Sequence, residues 1–67
     1  MGKEPPPGWK LSSGKMGLYY KDTPNGTLYG DWSSNHTGSF YIEDKRGNDI
    51  GYIDSKGNFR DKDFNLK

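Results

Sequence analysis

One histidine, His36, stands in the stretch Asp31 to Gly47, DWSSNHTGSFYIEDKRG. The acidic-aromatic pair Asp31-Trp32 precedes it, and an alternating run ending on Glu43-Asp44 follows. An imidazole is the side chain that changes charge near neutral pH, so with a carboxylate it makes an acid-base pair. RNA transesterification needs such a pair. A base takes the 2′-OH proton, an acid protonates the leaving 5′ oxygen, and a second carboxylate holds the imidazole in its useful tautomer. In that scheme Glu43 is the general base, His36 the general acid and Asp31 the orienter of His36. A cation must balance the charge developing on the phosphate, and the arginines of the chain are Arg46 and Arg60. The plainer reading of these residues is a polar hairpin loop with a solvated histidine and solubilising carboxylates.

These groups meet only if the chain around them is a hairpin. It repeats one device: a glycine, then aliphatic or aromatic residues, then an acid. The copies are GLYYKD (17–22), GTLYGDW (26–32), GSFYIED (38–44), GYID (51–54) and a short GNFRD (57–61). Between them lie TPNG, SSNHT, KRGN and SKGN, whose Asn and Gly suit tight turns. No window shows a helical period of apolar residues, and ten glycines disfavour long helices. This predicts an all-β domain, a strongly twisted antiparallel meander of four to five strands resembling an open barrel. Residues 1–8, MGKEPPPG, read as an extended proline-rich linker, and residues 9–67 as the single domain. Period two then assigns faces. Leu28, Trp32, Phe40 and Ile42 form the core side, while Tyr29, Asp31, Tyr41 and Glu43 share the other side with the His36 loop. Tyr29 and Tyr41 are there as substrate-contact candidates.

Composition sets limits. The chain has 67 residues, near the lower limit for a self-supporting core. It is 28% hydrophobic but 15% aromatic, with no Val or Ala, so Trp, Tyr and Phe must supply most of the buried area. Trp9 and Trp32 are expected to stabilise the fold. No Cys is present, which removes disulfides and thiolate metal sites, and one imidazole with scattered acids makes a poor metal site. No metal and no cofactor is expected. No run is apolar enough to span a membrane, and a monomer is expected. The formal net charge of +1 is low for a protein that binds nucleic acid through phosphates.

Residues 28–58, LYGDWSSNHTGSFYIEDKRGNDIGYIDSKGN, resemble the cytotoxic ribonuclease domain of ribosome-inactivating colicins and cloacin, and related tips of contact-dependent bacterial toxins. The matching residues are Leu28-Tyr29, Asp31-Trp32, His36, Gly38, Asp44-Lys45-Arg46-Gly47, Ile50-Gly51 and Ile53-Asp54, with PPPGW ahead of them. The resemblance implies a metal-independent endoribonuclease that cleaves ribosomal or transfer RNA. It would be delivered from a bacterial cell, act in the target-cell cytoplasm and be neutralised by an acidic immunity protein. It carries His36 over directly. The family's Asp and Glu offsets fall here on Ser33 and Phe40, so Asp31 and Glu43 are carried over by face. Arg60 is nearest to the family's phosphate-binding arginine. The first half, GWKLSSGKMGLYYKDTPNGTLYGDW, is similar instead to cell-wall and choline-binding repeats, and LYGDWSSNHTGSF to membrane-occupation hairpin repeats. These imply a non-catalytic binding module in which aromatics from adjacent hairpins cage a ligand or pack together.

Overall fold

The computed structural model describes residues 4–13 and 18–67. Six antiparallel strands form one open sheet in sequence order: β1 (Lys10–Leu11), β2 (Tyr19–Thr23), β3 (Gly26–Trp32), β4 (Phe40–Asp44), β5 (Asp49–Ile53) and β6 (Phe59–Arg60). The meander and strand type agree with the sequence reading. The additional strand is the two-residue β1, which pairs Lys10 with Tyr20 and Leu11 with Tyr19. It is too short to carry an alternation signal. Of the expected linker, residues 1–3 lie outside the described residues, as does Gly17 at the head of the first expected strand. Residues 4–8 run beside the core. Glu4, Pro6 and Pro7 line a depression with Trp9, Lys21, Phe40 and Ile53, and the Pro6 carbonyl accepts a hydrogen bond from Trp9 N at 3.2 Å.

The β3–β4 register sets the faces as period two requires. Trp32 lies opposite Phe40 and Gly30 opposite Ile42, whereas Asp31 lies opposite Tyr41 and Tyr29 opposite Glu43. Trp9, Phe40 and Ile42 are buried on the first side, with Tyr19, Leu28, Trp32 and Ile53 packed against them. Phe40, with no exposed surface, is the hub of this cluster. Trp9, Trp32 and Tyr19 meet its ring at centroid distances of 5.0, 5.3 and 5.7 Å. The two tryptophans meet it edge-on and Tyr19 at a tilt, and such contacts add to the stabilisation that ring burial alone supplies. Gly30 makes the hub possible. A Cβ there would fall on the Phe40 ring and lie 2.8 Å from the Tyr41 carbonyl oxygen.

The turns after β4, β5 and β6 are one structure built three times, at Asp44-Lys45-Arg46-Gly47-Asn48, Asp54-Ser55-Lys56-Gly57-Asn58 and Asp61-Lys62-Asp63-Phe64-Asn65. In each, the Asp carboxylate oxygen Oδ1 accepts hydrogen bonds from the backbone N–H groups two and four residues on, at 2.8–3.0 Å. The Asp N–H donates to the Asn carbonyl, and the fourth residue's N–H donates back to the Asp carbonyl. The fourth residue has positive φ: 89° at Gly47, 90° at Gly57 and 69° at Phe64. Glycine takes this conformation freely. For Phe64 the left-handed region costs about 1–2 kcal/mol.

Candidate functional site

On the second side of the sheet, β3, β4 and β5 form the floor of an open cleft of roughly 490 Å³. Its walls include Asp31, Tyr41, Glu43, Asp49 and Tyr52, with Ser33 to Asn35 at one end and, among the described residues, no Lys, Arg or His in the lining. Tyr41 and Tyr52 are direct cross-strand partners, with ring centroids 5.7 Å apart. The Tyr41 hydroxyl donates to Glu43 Oε1 at 3.2 Å and to Asp49 Oδ1. Its pKa is pushed up, first by the hydrogen bond to Asp49 and then by burial and by Glu43. The phenol therefore stays protonated, shared between two carboxylates that have no cationic partner among the described residues. Among the described residues the one ion pair is Arg60 Nε to Asp54 Oδ2, at 3.0 Å.

Asp49 reaches this cleft through a β-bulge. The register shifts between Ile42 and Glu43, so Glu43 faces Asp49 while Ile42 faces Gly51. Ile50 is the extra residue, left 37% exposed. Simple alternation along β5 would put Asp49 on the side of Gly51 and Ile53, so sequence reasoning missed it.

His36 lies beside the cleft. The Ser33 hydroxyl accepts from His36 N at 3.0 Å and Asn35 N at 3.2 Å, which folds the loop back over β5. The imidazole stacks on Phe64 with centroids 3.9 Å apart and planes within 2°. It meets Tyr52 edge-on at 5.0 Å, and Tyr52 meets Phe64 at 5.2 Å. Tyr52 is consequently 9% exposed, so this side of the sheet holds a second aromatic cluster as well as displaying polar groups. Neither Tyr52 nor Phe64 was singled out in the sequence. The available signal for Phe64 was its place in the third copy of the Asp turn.

The sequence candidates divide. Asp31, Tyr41 and Glu43 come together in the cleft, and Tyr29 and Arg46 line a neighbouring depression with Glu43. The imidazole pairs with no carboxylate: Asp31 Oδ1 accepts from Trp32 N at 2.8 Å, and Glu43 binds Tyr41. His36 stands over the Tyr52–Tyr41 row, one strand period, roughly 7 Å, from the Glu43–Asp49 row. Arg60 is engaged with Asp54 through Nε, with the Phe64 carbonyl through Nη1 at 3.2 Å and with the Phe64 ring at 4.7 Å. Arg46 is exposed in the β4–β5 turn. Among the described residues no His, Asp and Glu side chains group as metal ligands would. No known protein family, curated protein or solved structure matches the chain at a significant level.

Proposed function

We propose that this chain is a non-catalytic aromatic hairpin-repeat module that binds a cationic group in the cleft between β3, β4 and β5. The carrying observation is the lining. Asp31, Glu43 and Asp49 share one concave surface with the rings of Tyr41 and Tyr52, and among the described residues no lining residue is a cation. An ammonium or guanidinium group gains charge complementarity and a ring face in such a place. The thrice-repeated Asp turn supports the module reading, since repeated hairpins share one local solution to chain reversal. Calorimetric titration with choline tests the reading. Saturable binding that Glu43→Gln with Asp49→Asn weakens at least tenfold supports it. Equal affinity for the uncharged isostere 3,3-dimethylbutanol sinks it.

The second reading is the ribonuclease toxin domain, with Glu43 as base, His36 as acid, Asp31, Arg46 and Arg60 in support, RNA as substrate and an acidic immunity protein as partner. It is supported by the placement of Asp31 and Glu43 on one face below the His36 loop. Against it stand the His36 ring, held by Phe64 and Tyr52 and not by a carboxylate, and a cleft charge that repels phosphate. Incubation with total cellular RNA in excess chelator separates the two readings. Cleavage abolished by His36→Ala establishes the enzyme, and intact RNA favours the module.

A further inference from the structure

Phe64 is the exception among the three Asp turns. The other two copies place glycine at the left-handed position, at φ 89° and 90°, and the third forces a phenylalanine into it. A strained residue persists where its surroundings hold it, and strain of this kind concentrates at functional sites. The surroundings of Phe64 resemble those of a bound ligand more than those of a turn. Its ring lies flat on His36 at 3.9 Å, meets Tyr52 edge-on at 5.2 Å and carries the Arg60 guanidinium at 4.7 Å. Its carbonyl accepts a hydrogen bond from Arg60 Nη1 at 3.2 Å. Ring and carbonyl are thus recognised together, by different groups. Arg60 is itself held by Asp54, and His36 by the Ser33 hydroxyl, so the receiving groups are positioned by elements other than the 61–65 turn.

We infer that His36, Tyr52 and Arg60 form a recognition site for an aromatic residue of a peptide, and that Phe64 occupies it as an intramolecular plug. This goes beyond the cation cleft, whose lining excludes His36, Arg60 and Phe64. Tyr52 belongs to both and makes them neighbours. An incoming Phe, Tyr or Trp would take the ring position over His36 and offer its carbonyl to Arg60, and the turn would swing away with its strain released.

Substituting Phe64 by Gly restores the residue that the two sister turns use, so the turn should form while the site empties. Apolar sites vacated in this way accept small ligands. N-acetyl-phenylalanine amide, followed through the ring-proton resonances of His36 and Tyr52, should bind Phe64→Gly at least tenfold more tightly than the wild-type chain. Residue 64 keeps its backbone carbonyl on Arg60 Nη1 in this variant, so ethylbenzene, which offers the ring alone, should also bind it more tightly than the wild-type chain. Equal affinity of the amide for wild type and variant, or a folded variant whose His36 and Tyr52 signals ignore it, overturns the inference. Tighter binding of adenosine than of the amide overturns the ligand class. Phe64→Asn, a second residue tolerant of positive φ, guards against a folding failure peculiar to glycine. If both variants stay unfolded at saturating amide, the ring is an element of the fold and not a plug.

Discussion

Tyr41 shows how a single phenol sets the character of the cleft. Its hydroxyl proton is shared between Glu43 and Asp49, so ionising it would place a third negative charge beside two. The folded-state pKa is accordingly raised, with the Asp49 hydrogen bond as the largest cause. The linkage follows in sign. The contribution is full below the unfolded tyrosine pKa, about 10, and falls away as pH rises above it. In a spectrophotometric titration Tyr41 should ionise above the ordinary tyrosine range, and Asp49→Asn with Glu43→Gln should move it back toward that range. A Tyr41 that titrates normally in the wild type would mean that the carboxylates do not face it. Gly30 makes the matching point on the core side. Gly30→Ala drives a methyl group into the Phe40 ring, and overpacking of this kind costs about 1–3 kcal/mol. Urea unfolding should register that loss, and a change below about 0.5 kcal/mol would show the Phe40 ring to be less confined than its packing indicates.

At the scale of the element, the Asp turns fix the hairpins through carboxylate acceptors, and the Asp44 and Asp54 turns carry a pH signature. Asp44 is held below the ordinary carboxylate range, mainly by the backbone N–H of Asn48, and Asp54 mainly by that of Asn58, with Arg60 adding to it. A depressed folded-state pKa contributes stability that is present above the unfolded value, about 3.9, and is lost as pH falls below it. Melting temperature should therefore drop from about pH 4 downward, and Asp44→Asn with Asp54→Asn should flatten that limb. Gly47→Ala, which imposes the conformation that Phe64 tolerates, should cost about 1–2 kcal/mol, read as a fall of several degrees in melting temperature. Much of this scale was legible in the sequence. The 26–44 hairpin follows from alternation, and so does the shared face of Tyr29, Asp31, Tyr41 and Glu43. Three features were not legible. The two residues of β1 are too few to show a period. Asp49 joins Glu43 only through the bulge that displaces Ile50, and a bulge is a property of the pairing, not of either strand. Phe64 stands out only when the three turns are aligned and its φ is known.

Across the whole molecule, a chain with few aliphatic residues places aromatic clusters on both sides of one sheet. Phe40 centres the first and Tyr52 the second. The first cluster is the buried core. The second leaves an open flank, where Tyr41 and Tyr52 meet Asp31, Glu43 and Asp49. The near-neutral formal charge of +1 conceals this local excess of carboxylate, which becomes visible only once the register has gathered the acids of three strands. Paired titrations of choline and 3,3-dimethylbutanol, which share shape and differ in charge, measure whether this flank selects cations. Choline should bind saturably, perturb the Tyr41 and Tyr52 ring resonances, exceed the neutral isostere in affinity at least tenfold, and be weakened by Glu43→Gln. Equal binding of the two compounds, or choline shifts that bypass Tyr41 and Tyr52, would contradict that selection.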